Sequence, residues 1–364
     1  MPARPTPQPG VMQIAPYVPG RSGAGSGSTE KIAKLSSNES PLGASPKAIA
    51  ALEGLGDVVA SYPDGSSMAL REAIAQVHGL EARCLIIGAG SDELLHLLAQ
   101  TYLGEGDEAV ISQFGFLVYP IVTRGAGATP VVAKDNDFCV DVDAMLGAVT
   151  QRTKVVFLAN PNNPTGTYIS QAELERLHAG LRPDTLLVVD SAYAEYVTAD
   201  DYAAGERLVR ANDNVVMVRT FSKIGLAALR IGWMYGPAHI VDALNRLRGP
   251  FNVNRAAQLA GEAAVKDVEF IARLKAHNRK WRDWLGDELN CNQIRILPSQ
   301  GNFVLALFAE DGGKSAKEAS KALLEAGLIV REMGAYGLPD ALRISIGEDR
   351  AMRAVAKVLK GLGK

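Results

Sequence analysis

A lysine sits in Thr220-Phe221-Ser222-Lys223, directly after the apolar run 215–218, with Arg230 following in the same stretch. The run reads as a buried strand, so the amine is set at a strand end, between hydroxyls and ahead of a guanidinium. A lone lysine is ordinarily a solvated one. Three other stretches give this one a different meaning: Gly88-Ala89-Gly90-Ser91-Asp92-Glu93, Asn160-Pro161-Asn162-Asn163-Pro164-Thr165-Gly166 and Asp190-Ser191-Ala192-Tyr193. They add a carboxylate at a strand exit, amide and phenol donors, and a glycine loop feeding a helix start. An amine that condenses with a carbonyl, a fixed acid and an anion cradle are the parts of a covalent carrier site.

Taken group by group, the parts suit pyridoxal phosphate. Lys223 forms the Schiff base, which needs a free amine and therefore a lysine pKa lowered by desolvation or by nearby cations such as Arg230. Asp190 pairs with the pyridinium nitrogen, while Tyr193 and Asn163 donate to the ring oxygen. Ser222 and Arg230 hold the phosphate by charge-assisted hydrogen bonds. The loop at Ser91 and Asp92 adds free N–H groups at a helix N-terminus. Phe116 stacks on the ring. Each group has a plainer reading: Ser222 as a helix cap, Asp190 as a strand exit, the Asn-Pro stretch as a turn, and Phe114, Phe116 and Tyr119 as helix-core aromatics. Order and spacing of the whole set favour the site.

The chain of 364 residues has room for two domains, with 47% hydrophobic and 21% charged residues, an ordinary globular composition. A net charge of −2, with both signs spread along the chain, argues against nucleic acid or an anionic membrane as partner. The three cysteines, Cys84, Cys139 and Cys291, are far apart, which predicts no disulfide framework, no metal site and a cytoplasmic location. The five histidines are scattered. No apolar run reaches the ~18 residues of a membrane span.

The elements that must position these groups alternate. Ser45 followed by Pro46 predicts a capped helix running to about residue 53, and a second helix covers 68–78. Strands are expected at 84–87, 109–112, 129–133, 154–158, 186–190 and 215–219, with a further apolar run at 231–235. Helices are expected at 116–124, 141–149, 171–179 and 206–210. This alternation predicts an α/β fold, a mostly parallel sheet flanked by helices, with the ligand beyond the carboxyl ends of the strands. One long helical stretch is expected over 255–289, then strands at 294–297, 302–307, 329–331 and 341–345 and a helix at 315–326. The predicted organisation is an N-terminal arm (1–40), partly flexible at 23–28, a large domain (41–249) and a smaller α/β C-terminal domain (250–364).

Tyr17 with Pro19-Gly20, Lys34-Leu35-Ser36-Ser37-Asn38-Glu39, Tyr62-Pro63-Asp64-Gly65, Gly90-Ser91-Asp92-Glu93, Asn162-Asn163-Pro164-Thr165-Gly166 and Phe221-Ser222-Lys223 resemble the fold-type I pyridoxal phosphate aminotransferases, in the branch that acts on histidinol phosphate. The likeness runs from Tyr17 to Gly347. It implies that Lys223 is also the proton shuttle, that Asn163 touches substrate as well as cofactor, and that Arg343 and Arg331 bind the acidic groups of substrates. It implies that Tyr17 closes over the side chain, and that Tyr62 reaches the phosphate of a neighbouring subunit in a homodimer. The implied exchange is between histidinol phosphate and 2-oxoglutarate, giving imidazole acetol phosphate and glutamate. An aromatic amino acid aminotransferase is the alternative, and a phospho-amino-acid decarboxylase the more distant one. Two departures stand out. Arg230 lies one residue closer to Lys223 than the family pattern, which in a helix turns it by about 100°, so either the loop absorbs the loss or Arg230 is misdirected. Phe116 stands where tyrosine is common.

Overall fold

The computed structural model describes residues 7, 10–18, 20, 33–56, 59–290, 294–309 and 315–362; Cys291 and the stretch 23–28 lie outside them. Largely apolar runs build a seven-stranded sheet in the order Leu85–Gly88, Gly232–Tyr235, Val215–Thr220, Leu186–Asp190, Thr153–Ala159, Glu108–Ser112, Thr129–Ala133. All neighbouring pairs are parallel except those of Gly232–Tyr235, which runs antiparallel to both its neighbours.

The central strands are buried on both faces, as a sheet covered by helices on each side requires. Alternate residues go to opposite cores. Leu187, Val189, Val215 and Met217 join one apolar cluster, and Leu186, Val188, Val216 and Val218 join the other. The helices Ser91–Tyr102 and Val118–Gly125 cover the second face. Ser45 caps Pro46–Glu53 as expected, its hydroxyl accepting from the Lys47 and Ala48 N–H groups.

The helical stretch expected over 255–289 is instead two helices, Arg255–Val265 and Val268–Leu289. The break falls at Asp267, whose carboxylate turns away to accept a hydrogen bond from Ser45 at 2.5 Å and an ion pair from Lys47 at 3.3 Å. Arg255–Val265 packs through Ala257, Ala260 and Ala264 into the large-sheet core. The longer helix serves two cores: Phe270 and Leu274 the first, Trp281, Leu285 and Leu289 the C-terminal one.

The C-terminal lobe is a four-stranded antiparallel sheet ordered Arg331–Met333, Leu338–Ser345, Phe303–Phe308, Ile294–Ile296. The strand expected over 329–331 is split. Leu328–Ile329 pairs in parallel with Ala33–Lys34 from the arm, and Arg331 begins a separate strand. Ser345 N–H then donates to the Leu35 carbonyl, so the arm segment is stitched into this lobe.

Candidate active site

The sheet delivers its functional side chains where parallel strands end. Asp190 closes its strand, and Lys223 lies in a 3-10 turn, Ser222–Ile224, just past Thr220. Twelve of the thirteen site residues expected from sequence line one cavity of about 260 Å³; Tyr62 is the exception. Tyr62 is 81% exposed and stacks on Phe251, with centroids 4.5 Å apart.

Lys223 is held without an acid. Its Nζ reaches the Ser37 carbonyl at 3.5 Å and lies 5.8 Å from the Tyr193 ring centre. No carboxylate among the described residues forms an ion pair with it. Burial, and secondarily the Arg343 charge, lower this amine from 10.5 to about 8. Asp190 is perturbed in the opposite sense: burial raises its carboxyl to about 6, against the pull of hydrogen bonds from Tyr119 and Ala192. A half-buried amine and a buried acid thus face one space, each in an environment that disfavours its charge.

The donors around them have spare capacity. Asn163 Oδ1 accepts from Arg343 Nη1 at 2.5 Å, which leaves its NH₂ to donate elsewhere. The Tyr193 hydroxyl accepts from Asn38 Nδ2 at 3.0 Å, which leaves its own proton free. Both are set to serve an acceptor inside the cavity, as a pyridine ring oxygen would be. Phe116 lines the same space and meets Tyr119 edge-on, centroids 5.8 Å apart.

At the other end lies a cluster that could cradle an anion. Gly90, at φ 84°, precedes the helix Ser91–Tyr102, and a Cβ there would come within 2.5 Å of Arg230 Nη2. Arg230 Nη1 donates to Ser222 Oγ at 3.2 Å and Nη2 to Asp92 Oδ2 at 3.2 Å. The loop after Lys223 therefore absorbs the missing residue. It is not a continuous helix but two 3-10 turns, with Gly225 at φ 101° and Arg230 itself at φ 53°. The guanidinium reaches Ser222 and Asp92 through the left-handed backbone of those two residues.

Across the cavity, Arg331 and Arg343 are directly opposite each other in the antiparallel pair. Like charges so placed repel. Arg343 Nη2 donates to the Ser36 carbonyl at 2.9 Å and Arg331 Nη2 to the Val18 carbonyl at 2.7 Å, while Arg343 Nε is buried with no partner. Neither forms an ion pair with a carboxylate among the described residues. Two under-neutralised guanidiniums suit an anionic ligand. Tyr17 completes the rim, its ring centre 5.8 Å from the Arg331 guanidinium.

Two participants escape the sequence reading. Tyr119 donates to Asp190 Oδ2 at 2.9 Å, although its position marks it only as a helix-core aromatic. Asn38 joins Tyr193, Ser345 and Asn302 in one buried network. Its only sequence signal is its place in the Lys34–Glu39 motif.

This fold and site are those of an aminotransferase: the chain belongs to the aminotransferase class I and II family, whose model matches residues 30–359. Within that family it is 52% identical over 355 residues to the histidinol-phosphate aminotransferase of Rhodospirillum rubrum, covering 98% of this chain and 96% of that one. It is 51% identical over 358 residues to the protein of the same name from Rhodopseudomonas palustris, covering 98% of both. Its fold is similar to the crystal structure of histidinol-phosphate aminotransferase from Sinorhizobium meliloti in complex with pyridoxal-5'-phosphate, with a TM-score of 0.83, 29% identity and 92% of each chain covered.

Proposed function

We infer that this chain is a pyridoxal-phosphate-dependent aminotransferase that interconverts histidinol phosphate and 2-oxoglutarate with imidazole acetol phosphate and glutamate, in histidine biosynthesis. The observation that carries the reading is Lys223 and Asp190 facing one cavity, neither paired with an opposite charge. Pyridoxal phosphate, when bound, supplies an aldehyde that captures amines and a protonated ring that accepts the electron pair of the substrate α-carbon.

The side chains divide the remaining work. Lys223 captures the cofactor and then moves a proton at the substrate α-carbon, as general base and acid. Asp190 holds the proton on the ring nitrogen. Asn163 and Tyr193 donate to the ring oxygen, and Phe116 covers one face. Ser222, Arg230 and the N–H groups of Ser91 and Asp92 take the phosphate. Arg343 and Arg331 bind the substrate's acidic groups, Asn163 orients the substrate beside them, and Tyr17 closes the rim.

Turnover of histidinol phosphate compared with phenylalanine, each with 2-oxoglutarate, tests the substrate assignment. A preference for histidinol phosphate of at least tenfold in kcat/KM is expected; a preference for phenylalanine would replace it with an aromatic amino acid aminotransferase.

The working unit is a homodimer in which Tyr62 serves the neighbouring site, a reading supported by its exposure and its stacking on Phe251. Hybrids of Tyr62→Phe and Lys223→Ala chains test it. Mixing them is expected to yield dimers with one fully native site and activity above that of either variant alone; no gain on mixing rejects the crossing. We place the division between the two lobes within Val268–Leu289, since that helix contributes to both cores. Free thiols at Cys84 and Cys139 support a reducing, cytoplasmic setting.

A further inference from the structure

Tyr119 has no place in the site as sequence reads it, yet its geometry ties it to two contacts of the cofactor space. It lies in the first turn of Val118–Gly125 and is 1% exposed. Asp190 projects from the same face of its strand as Leu186 and Val188, the face this helix covers. The hydroxyl meets Asp190 Oδ2 at 2.9 Å. The ring is clamped flat on Phe157, with centroids 5.0 Å apart and planes within 6°. Phe157 pairs with Val188 on the strand that carries Asp190. On its other side the ring meets Phe116 edge-on at 90°.

The carboxylate has few other ties. Oδ1 accepts from the Ala192 N–H at 3.2 Å, a bond to the chain just after Asp190 that fixes rotation only loosely. Tyr119 is thus the one side chain bonded to Asp190 among the described residues. A buried phenol is a donor whose direction is set by its packed ring, because rotating it would unseat Phe157 and Phe116 together.

We propose that Tyr119 is a positioning residue of the active site: its hydroxyl orients and keeps ionised the Asp190 carboxylate that meets the cofactor's ring nitrogen, while its ring holds Phe116 at the cofactor's face. This rests on the cofactor reading above and adds to it a residue that itself touches neither cofactor nor substrate. The hydroxyl works against burial. It favours the charged carboxylate in a setting where desolvation favours the acid, so losing it carries Asp190 further above its present value of about 6.

The test removes only the hydroxyl. Apo protein is titrated with pyridoxal phosphate from pH 5 to pH 9, following the borohydride-sensitive absorbance band, for unsubstituted protein and Tyr119→Phe. A hydrogen bond to a charged group contributes about 1.5–3 kcal/mol, so cofactor affinity near neutral pH is expected to fall roughly 10–100-fold. The acid limb of the affinity profile is expected to move up by about one pH unit or more. With saturating cofactor, kcat falls and KM for 2-oxoglutarate stays. A double-mutant cycle separates positioning from packing: in an Asp190→Asn background, Tyr119→Phe is expected to change affinity less than twofold. Superimposed profiles, or an equal loss in both backgrounds, overturn the positioning role while leaving the cofactor reading intact. Absence of the band in the unsubstituted protein at every pH overturns both.

Discussion

Lys223→Ala is expected to lower transamination by about 10⁴-fold or more. That is the upper range for a lost general acid–base, and in the proposed mechanism the same amine also captures the cofactor. The borohydride-sensitive band should vanish with it. The perturbed amine adds a signature in pH. Desolvation lowers it from the ordinary 10.5 to about 8 in the fold. Between those two values the unfolded chain binds more protons, so apo-protein stability rises with pH across that window. At pH 7 the buried ammonium costs stability, and Lys223→Ala apo protein should therefore unfold at a higher temperature than the unsubstituted form. Cofactor capture, which needs the neutral amine, should rise with pH toward 8 and level off above it. A variant that keeps the band, or a capture rate indifferent to pH from 6 to 9, would place the reactive amine elsewhere.

Arg343→Leu is expected to lower kcat/KM for 2-oxoglutarate by roughly 30- to 3000-fold, the equivalent of about 2–5 kcal/mol for truncating one partner of a buried charge pair. The reason is local. Arg343 is bonded to Asn163 and to the Ser36 carbonyl and faces Arg331 across the ladder, with no carboxylate partner among the described residues, so the proposed reading makes an acidic substrate its charge partner. Cofactor affinity should change far less, because the proposed phosphate cradle draws on Arg230, Ser222 and the helix beginning at Ser91 instead. Steady-state kinetics beside a cofactor titration separates the two effects. Equal losses in both measurements would show that the substitution had damaged the site as a whole.

The parts of this site that read directly from sequence are those whose chemistry is local. The run Val215–Thr220 is apolar enough to be a buried strand whatever surrounds it, and Lys223 follows it at once. Asp190 ends its strand in the same manner. Ser45-Pro46 signals its own helix start. What sequence hides depends on distant partners. The helix break at Asp267 exists because Ser45 and Lys47 are there to meet its carboxylate. Tyr119 looks like any core aromatic until the sheet brings Asp190, 71 positions away, to its hydroxyl. Arg230 is the converse case. Counting residues along a helix misdirects it, whereas positive φ at Gly225 and at Arg230 itself turns the side chain back to the cradle. Backbone in that region is rare for residues other than glycine, so no periodicity argument anticipates it.

The arm segment stitched into the C-terminal lobe bears on how the molecule is made. Ala33–Lys34 pairs with Leu328–Ile329, and Leu35 bonds Ile329 and Ser345, so this segment pairs with residues written far later in the sequence. During synthesis that earlier piece must wait, unpaired, until Leu328, Ile329 and Ser345 have been made. Contacts of such long range are entropically slow to close. The cavity, rimmed by the neighbouring residues Ser36, Ser37 and Asn38, therefore cannot mature before that distant lobe is made.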